Sequence, residues 1–254
     1  MPSRKRLAVG LTVLAAAAIL AAPSFAFDEV FQHTYTLPAG GSFELQNVNG
    51  SVTVSAWERD AVEVYAKKSA RAHPEDLKRV QIEVDARGDS VSVQTRYPHD
   101  DGVEVEVEYH IRVPQRVRLS HVGTVNGTVR VFGVDAAGEL RAVNGDVEVL
   151  DSAGALTAHT TNGNVRMELR RVDAASPVSI ETVNGTVVLA LPPEAGAELD
   201  IRSLNGDFRS ELPVNLRGAF GARQFRGRLG AGGPAVKIRT VNGGIRVVTT
   251  RPVV

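Results

Sequence analysis

Across 254 residues, 29 lysines and arginines stand against 29 aspartates and glutamates, and there is no cysteine. That balance offers no general attraction to nucleic acid or to anionic lipid. The missing thiols exclude disulfide staples, thiolate metal sites and a cysteine nucleophile, and a chain of this length can bury a continuous core without them.

The first predicted element is a targeting segment. Arg4, Lys5 and Arg6 precede an apolar run from Leu7 to Ala22, and Pro23 leads into Ser24-Phe25-Ala26, a small-x-small cleavage site. The run is about 16 residues, short of the roughly 20 that span a bilayer. Residues 1–26 read as a cleaved secretory signal, with an uncleaved N-terminal anchor as the alternative. The mature chain from Phe27 then carries 26 basic and 29 acidic residues, a net charge of −3. It contains no further run long enough for a membrane span, so it is expected in the periplasm or at the cell surface.

Residues 27–121 form a predicted N-terminal β lobe with period-2 alternation. Val52, Val54, Val62 and Val64 alternate with polar or small residues, and Ile82, Val84, Val91 and Val93 do so across an Ala86-Arg87-Gly88-Asp89 turn. Val103 to Val113 sets valines, Tyr109 and Ile111 against Glu104, Glu106 and Glu108, a strand with one dry and one wet side that stops at Pro114. Pro74 to Arg79 is the one predicted helical turn, and His99-Asp100-Asp101-Gly102 a loop tip.

From residue 122 to 254 a repeat takes over, built on Asn-Gly. The pair occurs at Asn49-Gly50, Asn126-Gly127, Asn144-Gly145, Asn162-Gly163, Asn184-Gly185, Asn205-Gly206 and Asn242-Gly243, at intervals of 77, 18, 18, 22, 21 and 37 residues. Four intervals near 20, and a 37 close to twice 18.5 as if one copy had lost its pair, mark a stacked repeat. Four residues before the Asn stand Val122, Leu140, Ala158, Ile180, Ile201 and Ile238; three after it stand Val129, Val147, Val165, Val187, Phe208 and Ile245. Residues 217–233 interrupt the pattern as a Gly/Arg-rich expanded rung or loop containing Arg217, Arg223, Arg226 and Arg228.

Asn-Gly between alternating strands fits a type I′ hairpin meander or a parallel β-solenoid whose turns stack at about 4.8 Å. The constant phase of the flanking residues favours the solenoid, each turn resting on its predecessor. The corners would need left-handed geometry, which Asn and Gly supply cheaply, and the stacked Asn side chains would hydrogen-bond from rung to rung. The fold class is therefore all-β, a parallel β-solenoid with Asn-Gly corners and an N-terminal β lobe continuous with the stack.

These residues resemble the bacterial putative-adhesin families of unknown function, the head-GIN type and its relatives, whose members are exported β-solenoids. The resemblance rests on Leu45-Gln46-Asn47-Val48-Asn49-Gly50-Ser51-Val52-Thr53-Val54 with Trp57, on the strand ending at Val113-Pro114, and on the later Asn-Gly copies through Ile245. It implies an exported binding module and brings no catalytic residues with it.

No motif requires an active site: no phosphate loop, no G-x-S-x-G, no H-E-x-x-H. The six histidines share no ligand spacing, so His110 reads as a solvated side chain, and Asp85, Asp89, Asp100 and Asp101 read as turn residues. No catalytic residue, metal or cofactor is assigned. The solenoid does create outward columns beside the Asn-Gly edge. Four residues after the Asn stand Arg130, Glu148, Arg166, Val188, Arg209 and Arg246; three before it stand Arg141, His159, Glu181, Arg202 and Arg239. Guanidinium forks grip carboxylates and sulfates in two-point fashion, so Arg130, Arg166, Arg209, Arg246, Arg141, His159, Arg202 and Arg239 form a candidate ligand face. The competing reading is Arg–Glu pairing that keeps a wet face soluble.

Three functions follow: an exported binding or adhesion module for anionic glycans or envelope components, a spacer or docking scaffold of the envelope, and a polysaccharide-acting β-helix enzyme. Self-association edge to edge, through a C-terminal end without a cap, is a further expectation.

Overall fold

The computed structural model describes residues 27–98, 102–216 and 223–250. Residues 1–26, read above as a signal, the expected loop tip His99-Asp100-Asp101, residues 217–222 of the Gly/Arg-rich segment and the terminal Arg251-Pro252-Val253-Val254 lie outside them.

Alternating apolar residues build the N-terminal strands β1 (Phe27–Thr36), β2 (Ser42–Gln46), β3 (Val52–Trp57) and β4 (Ala61–Ala70), then α1 (Asp76–Arg79), β5 (Gln81–Arg87), β6 (Ser90–Arg96) and β7 (Val105–Pro114). In β7 the valines, Tyr109 and Ile111 are buried while Glu106, Glu108, His110 and Arg112 are exposed, the one-sided strand its alternation predicts. The helical turn is tied down by Lys68, which lies buried on β4. Its Nζ donates to the carbonyls of Leu77 (2.8 Å) and Val80 (3.2 Å) and pairs with Glu29 (2.8 Å).

From Arg118 the strands come mostly in pairs. These are β8 (Arg118–Asn126) with β9 (Val129–Phe132), β10 (Gly138–Asn144) with β11 (Val147–Ser152), β12 (Leu156–Asn162) with β13 (Val165–Leu169), and β14 (Val178–Asn184) with β15 (Val187–Leu191). Then follow β16 (Ala197–Asn205) with β17 (Phe208–Ser210), then β18 (Val214–Leu216) and β19 (Gln224–Leu229), which belong to no rung, and finally β20 (Ala235–Asn242) with β21 (Ile245–Thr249). Each pair, a rung, has its first strand in one sheet and its second in the other, and the chain changes sheet at Asn-Gly.

One sheet runs β1-β4-β7-β3-β9-β11-β13-β15-β21-β17 and the other β18-β19-β16-β20-β14-β12-β10-β8-β2-β6-β5. The protein is thus all-β, with two long sheets. Pairing is parallel except β1–β4, β4–β7, β5–β6, β16–β19 and β18–β19. The apolar columns read from the sequence are inside except at the outer rung: Val122, Leu140, Ala158, Ile180, Ile238 and Ile201 from one sheet face Val129, Val147, Val165, Val187 and Ile245 from the other, all buried, while Phe208 is half-buried. At about 1.5–3 kcal/mol for each large aliphatic side chain, these columns are the main favourable term.

The order of the last rungs corrects the expectation that each copy stacks on its predecessor. In space the Asn residues run 49, 126, 144, 162, 184, 242, 205: Asn184 lies beside Asn242, and Asn242 beside Asn205. The interval of 37 residues is therefore no lost copy. After β17 the chain makes an antiparallel excursion, with β19 pairing along β16 (Ile201 opposite Phe225) and β18 along β19. Residues 230–234 then return the chain to the slot left between β14/β15 and β16/β17. The described part of the Gly/Arg-rich segment is an antiparallel strand rather than an expanded rung, because a chain that doubles back can satisfy only the outer edge of β16.

The geometry at Asn-Gly matches the expected corner only in part: Gly50, Gly127, Gly145 and Gly243 have positive φ, but the Asn residues do not. Among the described residues the only non-glycine with positive φ is Asp151, so no Asn of the series is left-handed. The glycines are needed for room: a Cβ on Gly145, Gly163 or Gly185 would come closer than 3.0 Å to the carbonyl oxygen of the preceding glycine in the stack. The expected amide ladder is present. Asn126 Nδ2 donates to Asn49 Oδ1 (2.8 Å), and the pattern continues through Asn144, Asn162, Asn184 and Asn242 to Asn205 at 2.8–2.9 Å.

Two residues before the Asn, a buried hydroxyl supports the glycine carbonyl. Thr160 Oγ1 donates to Gly145 O (2.8 Å), Thr182 to Gly163 O (2.9 Å), Thr124 to Gly50 O (2.9 Å) and Thr240 to Gly185 O (3.3 Å). In the first copy Asn47 takes this place, donating to Gly50 O at 3.1 Å and held by Thr95. Ala142 has no hydroxyl to offer. Thr160→Val is expected to cost about 1–2 kcal/mol by stranding a buried acceptor, whereas Ala142→Ser should gain up to about 1 kcal/mol. Urea denaturation of both variants checks this, and equal midpoints for Thr160→Val and the parent chain would remove the hydroxyl from the stabilising terms.

Candidate ligand-binding edge

The strand registers carry each outward column along one line. In the first sheet Thr53, Arg130, Glu148, Arg166, Val188, Arg246 and Arg209 are successive cross-strand partners. In the second sheet the line is Gln46, Gly123, Arg141, His159, Glu181, Arg239 and Arg202. The candidate residues thus stand on both sides of the Asn ladder, at the spacing of parallel strands.

Through the middle of the stack, opposite charges meet. Arg130 Nε pairs with Glu148 at 2.9 Å, Glu181 lies 3.8 Å from His159 and 3.4 Å from Arg239, and Arg166 turns to Glu168 on its own strand at 3.3 Å. The pattern changes at the far end. Arg239 stands directly beside Arg202, and Arg246 beside Arg209, because the last two rungs share one motif: Ile201-Arg202-Ser203-Leu204-Asn205-Gly206-Asp207-Phe208-Arg209 and Ile238-Arg239-Thr240-Val241-Asn242-Gly243-Gly244-Ile245-Arg246. Like charges directly opposite in a sheet repel. Arg202 is drawn to Asp200 (3.4 Å) and Arg209 to Asp207 (3.0 Å), while no carboxylate among the described residues pairs with Arg246 or Arg141.

A feature outside the sequence-derived columns lies between them. The residue just before each Asn points outward, forming a line of Val48, Val125, Val143, Thr161, Val183, Val241 and Leu204 that is aliphatic except at Thr161. Val125 and Val241 are each 38% exposed and Leu204 48%. The signal was available in the alternation: if the second and fourth residues before the Asn face in, the first must face out.

At the far end this line forms the floor of a groove of about 510 Å³. Val183, Val241 and Leu204 give it apolar surface, and Arg202, Arg239, Glu181 and His159 surround them. Arg223, from the interrupting segment, is brought in because its carbonyl accepts from the Ser203 N–H at 3.1 Å. Three arginines line the groove with Glu181, and Asp200 stands beside Arg202, so the lining is Arg-rich over an apolar floor. Arg209 and Arg246 lie across the Asn edge from it, and Arg130, Arg141 and Arg166 farther along. Among the described residues no group of three or more His, Asp or Glu is placed to hold a metal ion, and no helix is long and apolar enough to cross a membrane.

Two long, mostly parallel sheets with a charged repetitive edge define the class of protein. The chain belongs to the Toastrack DUF4097 family, whose model matches residues 42–248. A search among curated proteins finds no match. Among solved structures, the chain is similar to a putative cell adhesion protein from Clostridium sporogenes ATCC 15579 at 12% identity, covering 87% of this chain and 100% of that one with a TM-score of 0.48. A putative adhesin from Bacteroides fragilis NCTC 9343 is similar at 10% identity, over 87% and 97% of the two chains, with a TM-score of 0.42. A putative lipid binding protein from Parabacteroides distasonis ATCC 8503 is similar at 7% identity, over 87% and 97%, with a TM-score of 0.28.

Proposed function

We propose that this protein is an exported, non-catalytic binding module. In this reading the two sheets are the walls of a parallel β-solenoid, residues 27–121 are a lobe continuous with residues 122–254, and residues 1–26 are removed on export. The Asn-Gly edge grips an anionic polymer, such as an acidic or sulfated cell-surface polysaccharide. The observation that supports it best is the juxtaposition of Arg202 with Arg239 and of Arg209 with Arg246 around Asn205 and Asn242. Side-by-side guanidinium groups are unfavourable alone and become favourable when a carboxylate or sulfate bridges them.

Glycan-array and calorimetric binding of the mature chain would test this. Loss of a charge-assisted contact is worth about 1.5–3 kcal/mol, so Arg202→Ala with Arg239→Ala should weaken binding at least about tenfold. Added salt should weaken it too. Arg87→Ala, at a distant exposed Asp85 pair, should change nothing. Equal binding of neutral and acidic glycans, or a double variant that binds as the parent does, would overturn the reading.

A second reading, an envelope scaffold that docks a protein, is favoured by the exposed aliphatic line through Val125, Val241 and Leu204. A pull-down returning one stoichiometric envelope protein, without glycan binding, would select it. Turnover of an acidic polysaccharide would select the enzyme instead.

A further inference from the structure

We propose that the C-terminal rung, Ala235 to Thr249, exchanges between copies of this chain, so that the slot in one molecule is filled by the rung of another. The slot is a consequence of chain order. Residues 192–196 carry the chain past one vacant rung position, and β16/β17 are laid down one step too far along the stack. Only after the antiparallel excursion does the final rung arrive between β14/β15 and β16/β17.

Until it is seated, four strand edges stand open, and backbone groups on both sides lack partners. Gly185 N–H donates to Asn242 O (2.9 Å), Val187 N–H to Gly244 O (3.0 Å), Gly243 N–H to Asn205 O (3.0 Å) and Ile245 N–H to Asp207 O (2.8 Å). All four bonds belong to the inserted rung. An open edge of this kind binds extended chain by strand addition.

The occupant that fits is a second copy of the same rung. It carries the inward Val236, Ile238, Ile245 and Val247 in register with Val178, Ile180, Val187 and Leu189, and the Asn242 amide that bridges Asn184 to Asn205. Every such contact is the same whether the rung comes from its own chain or from another. Only the hinge, Gly230-Ala231-Gly232-Gly233-Pro234, differs between the two forms. Short hinges of this kind invite exchange. In the exchanged form the groove is shared: one copy supplies Arg202 and Leu204, its partner copy Arg239 and Val241.

The absence of native cysteine makes the test direct. Ser179 and Lys237 are cross-strand partners on β14 and β20, outside the groove. In the Ser179→Cys, Lys237→Cys variant, refolding at high protein concentration followed by oxidation should give disulfide-linked dimers or longer chains. Refolding at high dilution should give a link within one chain. Tagged and untagged chains should form a hybrid band only when refolded together. Inserting two glycines after Gly232 should shift the balance toward the single chain, which a dimer held by surface contact would not show. Links within one chain at every concentration, or equal dimer from either single-cysteine variant, would overturn the proposal, as would failure of the wild-type chain to show concentration-dependent dimer by light scattering after the same refolding.

Discussion

Replacing Gly163 with alanine should cost at least about 3 kcal/mol, an unusual penalty for one methyl group. The added Cβ would overlap Gly145 O and Gly145 C, both backbone atoms of the adjacent rung and both closer than 3.0 Å. No rotamer change can relieve that overlap, so either the rungs separate locally or the Asn162 side chain loses its bond to Asn144. The same substitution at Gly244, in the last Asn-Gly crossing, meets nothing nearer than Asp207 O at 3.5 Å. Gly244→Ala should be neutral or stabilise by up to about 1 kcal/mol through the unfolded chain. Chemical denaturation of the two variants checks this. Similar losses in both would mean that crowding is not what selects glycine.

Val147→Asp should destabilise by about 4 kcal/mol or more. Val147 is fully buried between Val129 and Val165, and no cationic group lines that inward column. Burial would raise the pKa of the new carboxyl above its unfolded value of about 4. A raised folded pKa means that the penalty is smallest below about pH 4 and grows as pH climbs toward the folded value. The melting temperature at neutral pH should fall by about 10 °C or more for a chain of this size. Glu148→Ala, one residue on and facing out, should move stability by less than about 1 kcal/mol. An unchanged melting temperature for Val147→Asp would sink the inward assignment of the whole column.

What the sequence made legible was periodic. Burial of Val147 and exposure of Glu148 follow from alternation, and the alignment of Arg130 with Glu148 follows from a constant count between Asn residues. The rung order was not legible. Asn205 and Asn242 carry equivalent motifs, so either could have stacked on Asn184, and the choice depends on a non-local antiparallel pairing between Ile201 and Phe225 that leaves no periodic trace. The reason for glycine was only half legible, for a related cause. The dipeptide predicts its own backbone angles, but the atom that excludes a side chain belongs to a residue 18 or more positions away. The exposed Val125, Val241 and Leu204 were readable by parity yet hidden by their resemblance to core residues.

The Asn ladder has a direction. In all six bonds Nδ2 donates toward the Asn49 end and Oδ1 accepts from the other side, so the amide dipoles point the same way. Aligned amides polarise one another, and their partial charges cancel everywhere except at the two termini. The terminus that presents an oxygen is Asn205, where no donor among the described residues reaches Oδ1. It therefore carries the negative pole of the row, among Arg202, Arg239, Arg209 and Arg246. An uncharged side chain thus adds a negative partial charge to the Arg-rich end of the stack, beside the carboxylates of Asp200, Asp207 and Glu181.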